Sequence, residues 1–98
     1  MEVEFRDSDL RRLESDARFT AGLSPALVKA FRRRLQFIRA APDERDLYQM
    51  RSLHFERLKG NRRHQRSIRL NDQFRLIVEI QGRGRTRKLI VVEITDYH

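Results

Sequence analysis

The chain has 98 residues, of which 39% are apolar and 37% are charged, and its formal net charge is +8. This length fits one hydrophobic core, so residues 1–98 are predicted to form a single domain. Because the chain has no Cys, no apolar run of about 18 residues and no signal-like N-terminus, we expect a cytoplasmic protein without disulfides, thiolate metal sites or a membrane partner.

The first half of the chain predicts one strand followed by two helices. Val3 and Phe5 alternate with charged residues, as in a short strand. A short helix is expected after Asp7 or Ser8, and a longer one over residues 25–41. The longer helix carries apolar residues three or four positions apart, which predicts one buried face: Leu27, Phe31, Leu35 and Ile38.

A run of basic residues, Arg32, Arg33 and Arg34, lies on this longer helix. The run looks like a nucleic-acid motif, but its members lie off the apolar stripe and point three ways around the helix. We therefore interpret the three arginines mainly as a solvated face. After Pro42 ends the helix, Asp43 is expected to cap one further turn.

In the second half the apolar period changes from about 3.6 to about 2, which predicts strands. The alternating apolar residues fall into four runs: Leu53 and Phe55; Ile68 and Leu70; Phe74, Leu76, Val78 and Ile80; and Ile90, Val92 and Ile94. A basic loop over residues 59–63 follows the first run, and a turn over residues 82–85 precedes the last. The order β-α-α-β-β-β-β predicts an α+β fold, in which two N-terminal helices pack on one face of a mainly antiparallel sheet of four to five strands.

The register of the hairpin between residues 68 and 76 follows from its apolar pattern. A three-residue loop, residues 71–73, pairs Ile68 with Leu76 and puts all the apolar side chains on one face, whereas a two-residue turn mixes apolar and charged side chains. The same loop pairs Arg69 with Arg75 on the open face, where like charges destabilise each other. Two interpretations remain open: the pair binds a phosphate, or acids neutralise it, the candidates being Glu79, Glu93 and Asp96.

Positive charge is concentrated in the second half of the chain. Residues 1–50 contain ten Lys and Arg against nine Asp and Glu, whereas residues 51–98 contain twelve against five. A field of one sign on a small domain favours a polyanion such as RNA. It also suits an acidic protein surface, and the sequence allows both partners.

The segment Asp96, Tyr97 and His98 brings an acid, a phenol and an imidazole together directly after the last predicted strand. By the strand alternation, Glu93 and Thr95 lie on one face of the last strand, and Tyr97 joins them if the strand extends that far. This segment then lies near the arginine pair if the last two strands are neighbours. Proton-handling groups beside arginines suggest chemistry on a phosphate ester, for which RNA is the obvious candidate. The alternative is a solvated polar tail.

Four segments resemble the HigB-type toxins of the RelE/ParE superfamily, which belong to bacterial type II toxin–antitoxin systems. They are residues 53–54 (LH), 58–62 (LKGNR), 67–75 (SIRLNDQFR) and 92–98 (VEITDYH). The resemblance covers the whole domain, and its most specific part is the combination of the last two segments.

This resemblance implies a toxin that enters the ribosomal A site and cuts messenger RNA there without a metal or other cofactor. It implies a HigA-type helix-turn-helix antitoxin as partner, and contact with operator DNA only through the toxin–antitoxin complex. By position, the implied catalytic residues are His54, Lys59, Arg75, Asp96, Tyr97 and His98. The basic residues expected to contact RNA or the ribosome are Arg57, Arg62, Arg63, Arg66, Arg69, Arg83, Arg85, Arg87 and Lys88.

Five of the six implied catalytic residues have an expected role in this reaction. His98 transfers a proton, since an imidazole titrates near neutral pH, and Arg75 with Lys59 stabilises the charged phosphorane. Tyr97 stacks on a base or orients the backbone, and Asp96 holds His98 in one tautomer. Two alternative functions remain: a ParE-like poison of DNA gyrase, and a basic RNA-binding module without catalysis.

Overall fold

Helices occupy the first half of the chain and strands most of the second in the computed structural model of the protein, which describes residues 1–83 and 86–96. The elements of the described part are, in chain order, β1 (Glu2–Phe5), α1 (Ser8–Ser15), α2 (Pro25–Ala40), α3 (Glu44–Gln49), β2 (Glu56–Arg57), β3 (Gln65–Arg69), β4 (Phe74–Gln81) and β5 (Lys88–Asp96). Two short 3-10 turns, Arg51–Leu53 and Gly60–Arg62, lie on either side of β2.

The strands form one mixed sheet of five in the order β1-β5-β4-β3-β2. The pair of β1 and β5 is parallel, and the other three pairs are antiparallel. The predicted α+β fold, with two N-terminal helices on one face of a mainly antiparallel sheet, is therefore confirmed. The one further turn expected after Pro42 is the short helix α3.

Polar side chains cap each of the three α-helices at its N-terminus, as the sequence predicts. The Asp7 carboxylate accepts hydrogen bonds from two backbone N–H groups of α1, and the Ser24 hydroxyl accepts one from Leu27 (3.2 Å). Asp43 accepts one from Arg45 (3.0 Å). Each cap satisfies donors that have no partner within the helix, which fixes where the helix begins.

The hydrophobic core lies between the helices and one face of the sheet. Its completely buried members include Leu13 of α1, three residues of α2 and five of the central strands: Phe31, Leu35, Ile38, Ile68, Leu76, Val78, Leu89 and Val91. Burial of one such side chain stabilises the fold by about 1.5–3 kcal/mol. The apolar stripe predicted for the longer helix is therefore the face of α2 that contacts the sheet.

The apolar residues of β5 differ from the prediction because the strand contains a bulge. Ile77 pairs with Glu93 but Val78 pairs with Val91, so Val92 is an extra residue opposite β4. An extra residue moves the alternation of side chains to the other face. Leu89 and Val91 therefore lie in the core before the bulge, and the predicted stripe of Ile90, Val92 and Ile94 is wrong for its first two members.

The strand predicted around Leu53 and Phe55 is also shorter than expected. Leu53 ends a 3-10 turn, His54 has a left-handed backbone (φ 46°), and pairing with β3 begins only at Glu56. Leu53 and Phe55 are nevertheless both buried. Two apolar residues with one polar residue between them occur both in a strand and in a turn of this kind. The pattern of Leu53 and Phe55 alone therefore does not distinguish the two structures.

Two of the three arginines interpreted as a solvated face hold the fold together. Arg32 donates to the backbone carbonyls of Leu13 (2.9 Å), Asp16 (2.9 Å) and Phe19 (3.3 Å), which ties the segment after α1 to α2. Arg34 donates to the carbonyl of Arg69 on β3 (2.9 Å). Of the three, only Arg33 is fully exposed. That interpretation was wrong because it treated every position off the apolar stripe as solvated.

Replacement of Arg32 by Met is expected to destabilise the protein more than the same replacement at Arg33. Arg32→Met removes the donors of three carbonyl groups while keeping most of the aliphatic stem, so the free energy of unfolding should fall by about 2 kcal/mol. Arg33→Met should change it by less than about 0.5 kcal/mol. Urea unfolding of the two variants measures the difference, and equal losses would contradict the structural role of Arg32.

Candidate active site

Arg69 and Arg75 stand opposite each other on β3 and β4, on the face of the sheet that the helices leave open. Ile68 pairs with Leu76 beside them, as the three-residue loop requires, so the predicted register is confirmed. On the other side of β4, Thr95 of β5 pairs with Arg75. The arginine pair therefore lies at the end of the sheet where β5 leads into residues 97–98.

Contacts with the hairpin loop hold both side chains of the arginine pair. The guanidinium of Arg69 forms an ion pair with the carboxylate of Asp72. Nη1 of Arg75 donates to the backbone carbonyls of Asn71 (2.7 Å) and Phe74 (3.3 Å). Asp72 was not among the acids suggested to neutralise the pair. Of those three, Glu79 and Glu93 instead bond Arg6 and Arg62.

A third arginine adds positive charge behind the pair. Arg34 of α2 reaches the backbone of Arg69 with its Nε, and its side chain is partly buried there. Burial lowers the pKa of Arg34, and the nearby charges of Arg69 and Arg33 lower it further. The smaller contributions of Arg69 and Arg33 reflect repulsion between neighbouring positive charges, which a bound anion would relieve.

Asp96, the last described residue of the implied catalytic set, lies beside the same hairpin. It pairs with Phe74, and its carboxylate accepts a hydrogen bond from the side-chain amide of Gln73 (2.9 Å). Asp96 thus contacts the loop at the end of the hairpin, although its pairing with Phe74 puts its side chain on the helix-covered face, opposite to the arginine pair. Tyr97 and His98 lie outside the described residues.

Of the other implied catalytic residues, His54 lies nearer to the arginine pair along the sheet than Lys59 does. β2 runs antiparallel to β3 with Glu56 beside Ser67, so the chain enters β2 from the Arg69 end, where His54 precedes Glu56 by two residues. Lys59 follows Leu58, whose N–H donates to the carbonyl of Gln65 (3.1 Å). Arg69 lies four positions after Gln65 in β3, which is roughly 13 Å along the strand.

A hydrogen-bonded network on the open face was missed by the sequence analysis. The buried carboxylate of Glu79 accepts two hydrogen bonds from Arg6 (2.8 and 2.6 Å) and one from Gln65 (3.0 Å). Arg62 continues the network, since it donates to Gln65 (2.9 Å) and Glu93 (3.4 Å). The hairpin register already pairs Gln65 with Glu79, so this part of the network was readable from the sequence.

The network shows that Arg62, which was expected to contact RNA, anchors the loop before β3 to the sheet.

The hydrogen bonds from Arg6, more than those from Gln65, hold the pKa of Glu79 below its ordinary value of 4.5, against the opposing effect of burial. A buried carboxylate needs such partners to remain charged.

The remaining basic residues expected to contact RNA do not form one continuous patch. Arg66 donates to the hydroxyl of Tyr48 (3.1 Å) beside Arg57, while Arg63 is exposed in the loop before β3. The others lie around the hairpin between β4 and β5, at the opposite end of β4 from Arg75: Arg83, Arg87 and Lys88, with Arg85 outside the described residues. The two ends of the sheet therefore carry separate basic groups.

Comparison with known families assigns the chain as a whole. The model of the family described as RelE-like toxin of type II toxin–antitoxin system HigB matches residues 3–98. The chain belongs to this HigB-like toxin family. The family match thus confirms the resemblance found in the sequence.

A curated relative and a solved structure agree with this assignment. Toxin HigB-1 of Vibrio cholerae serotype O1 is 34% identical to the chain over 79 residues, which cover 81% of this chain and 83% of the relative. A YoeB/ParE toxin from Agrobacterium tumefaciens superposes over 100% of both chains with a TM-score of 0.61 and 19% identity. The second comparison shows that the HigB-like chain shares the fold of that toxin.

Two further observations concern the described part of this HigB-like toxin. Its helices include none that is long and apolar enough to cross a membrane. Within the same residues, no group of three or more His, Cys, Asp and Glu side chains is arranged to hold a metal ion.

Replacement of Glu79 by Gln is expected to lower the stability and to change its dependence on pH. The free energy of unfolding should fall by about 1–3 kcal/mol, because Arg6 loses a charged partner. Since folding lowers the pKa of Glu79, the wild-type pair stabilises the fold fully above pH 4.5 and loses this effect as the pH falls through the lower folded value.

Urea unfolding between neutral pH and about pH 3 measures both effects, and Glu79→Gln should lose less stability than the wild type over the acidic part. Glu56→Gln, which changes an exposed carboxylate on the edge strand β2, is the matched control. If the free energy of unfolding changes equally with pH in the wild type and in Glu79→Gln, Glu79 is not the titrating group.

Proposed function

We propose that this HigB-like toxin is a ribosome-dependent endoribonuclease, which cleaves messenger RNA in the ribosomal A site and so arrests translation. The observation that carries the proposal is the arginine pair, Arg69 and Arg75, at the end of the sheet where the segment of residues 96–98 begins. The toxin acts in the cytoplasm on ribosome-bound RNA, without a metal or other cofactor. A cognate HigA-type helix-turn-helix antitoxin neutralises it, and the complex of the two contacts operator DNA.

The charge around the arginine pair favours a phosphate ligand. Two cationic side chains directly opposite each other on a sheet destabilise it by a few tenths to about 1 kcal/mol. Arg34 adds a third charge behind them. Guanidinium groups bind phosphate oxygens with paired hydrogen bonds, and an RNA phosphodiester would therefore offset this repulsion.

Cleavage of RNA by its own 2′-hydroxyl needs three contributions from the protein. A base takes the proton of the 2′-oxygen as this oxygen attacks phosphorus, cationic groups stabilise the phosphorane, and an acid gives a proton to the leaving 5′-oxygen. We assign proton transfer to His98, with Asp96 and Tyr97 orienting it or the substrate, and phosphorane stabilisation to Arg75. This scheme requires the residues 97–98 to approach the arginine pair.

Arg69, His54 and Lys59 have supporting roles in this scheme. Arg69 holds the scissile phosphate or its neighbour from the strand beside Arg75. His54 lies at the same end of β3 and is a second candidate for proton transfer. Lys59 follows β2 at the other end of β3, about 13 Å away along the strand, so we assign it to the RNA backbone beyond the scissile phosphate.

Replacement of Arg75 by Gln is expected to abolish growth arrest, because the phosphorane loses its cationic partner. Cleavage of ribosome-bound messenger RNA should fall by about 100-fold or more, the effect expected for one such electrostatic contact. Arg33→Gln, which removes an exposed arginine from α2, should keep near wild-type toxicity. Sequencing of the messenger RNA ends on ribosomes after induction measures cleavage. If the wild-type toxin arrests growth while messenger RNA stays intact and gyrase-dependent DNA breaks form, the protein is instead a ParE-like poison.

Replacement of His98 by Asn is expected to remove proton transfer while leaving the fold unchanged. The cleavage rate should fall by about 100-fold or more, and the remaining activity should lose the dependence on pH that an imidazole imposes. The matched control is His64→Asn, because His64 is an exposed histidine in the loop before β3, with its Nε2 3.7 Å from the carboxylate of Glu79, four positions along β4 from Arg75. A variant lacking the His98 imidazole that keeps the wild-type rate and pH profile would refute the proposed role.

A further inference from the structure

Each residue of the hairpin loop 71–73 bonds a different member of the candidate active site. The Asn71 carbonyl accepts from Arg75, and the Asp72 carboxylate pairs with Arg69. The Gln73 amide donates to Asp96. The loop therefore connects the two arginines and the strand that leads to Tyr97 and His98, and none of its three residues belongs to the implied catalytic set.

The conformation of this loop is set by its own side chain and by the strands. The Oδ1 atom of Asn71 accepts hydrogen bonds from the backbone N–H groups of Gln73 (2.8 Å) and Phe74 (2.7 Å). The N–H of Leu70 donates to the carbonyl of Phe74 (3.0 Å) and closes the hairpin. An Asn side chain bonded to the backbone in this way fixes a turn. Asp72 is thus held on a defined turn beside Arg69.

The ion pair between Asp72 and Arg69 has the properties of an exchangeable contact. The side chain of Asp72 is 94% exposed, and that of Arg69 is 35% exposed. An exposed pair of this kind contributes at most about 1 kcal/mol, because water stabilises both separated charges. A phosphodiester can bind a guanidinium through two parallel hydrogen bonds, and it therefore competes with this exposed carboxylate, whose described contact with Arg69 uses Oδ1.

We propose that Asp72 is a positioning residue that occupies Arg69 as an internal anion until an RNA phosphodiester displaces it. In the free toxin the carboxylate offsets the repulsion between Arg69 and Arg75 and keeps Arg69 on the open face. When RNA binds, the phosphate takes the place of the carboxylate, which moves into solvent. This inference rests on the proposed function for its ligand.

The variant Asp72→Asn tests the exchange, because it keeps the size of the side chain and removes its charge. The probe is a short fluorescein-labelled single-stranded RNA with 2′-O-methyl groups, which the toxin cannot cleave, and binding is measured by anisotropy at several salt concentrations. Affinity should rise about two- to fivefold, the effect of losing one exposed ion pair. The slope of log K against log salt should become steeper by up to about 0.7, because the cation released from the RNA phosphate is no longer offset by a cation that the freed Asp72 carboxylate takes up.

Two further variants separate this exchange from a general effect of charge. Asp9→Asn makes the same chemical change on α1, which packs on the opposite face of the sheet, and should leave the salt slope at the wild-type value. In an Arg69→Gln background, Asp72→Asn should change the RNA affinity and the salt slope no more than Asp9→Asn does, because the partner of the carboxylate is absent. Equal changes for Asp72→Asn and Asp9→Asn in the wild-type background would overturn the proposal.

Cleavage by the wild-type toxin on ribosomes is measured alongside the binding experiment. If wild-type toxin cleaves messenger RNA but Asp72→Asn binds the probe as Asp9→Asn does, the exchange is refuted and the proposed function stands. If the wild type does not cleave but Asp72→Asn shows the expected gain in affinity and steeper slope, the exchange stands and the proposed function fails.

Discussion

The burial of Ile68 against Leu76 determines which side chains the central hairpin presents on its open face. Both residues are completely buried, and each contributes about 1.5–3 kcal/mol through burial. The unfavourable pairing of Arg69 with Arg75 costs about 1 kcal/mol at most. A shift of one residue would separate the arginines but expose both apolar residues, so the core decides the register and the arginine pair follows from it.

The bulge at Val92 allows the last strand to satisfy two requirements at once. Leu89 and Val91 must enter the core at one end of β5, while Glu93 and Thr95 must lie on the open face at the other. A strand of strict alternation cannot do both, because residues 89, 91, 93 and 95 then share one face. The extra residue changes the phase between the two parts, so that Thr95 pairs with Arg75 and lies on the open face beside the arginine pair.

The sequence allowed prediction of the fold and of the arginine pair where polar and apolar residues alternate clearly. Around the turn of the central hairpin, polar or charged residues stand between the apolar residues Ile68, Leu70, Phe74 and Leu76, so the phase of the two strands is unambiguous there. Residues 89–92 are four consecutive apolar residues, so the sequence does not show which of them face the core. The bulge in β5 could therefore not be predicted. The roles of Arg32 and Arg34 were equally unreadable, because their partners are backbone carbonyls that only the tertiary fold brings close. The strand alternation does not identify Asp72 as a neutralising acid, because Asp72 lies in the loop between the two strands.

Where positive charge is available to a ligand depends on the partners of each basic group rather than on its position in the sequence. At the hairpin between β4 and β5, Arg87 pairs with Glu44, whose side chain is only 12% exposed, and Lys88 pairs with Glu4. Acids from the first half of the chain thus offset basic residues of the second half.

At the other end of the sheet, Arg69 pairs with Asp72, which comes from the hairpin itself and is 94% exposed. A buried carboxylate cannot leave its partner without losing a charge-assisted contact that water does not replace, whereas an exposed one is released at little cost. The asymmetry of charge along the sequence is therefore reduced in the folded protein at one end of the sheet. At the arginine end the positive charge stays exchangeable, and a phosphate can compete for it there.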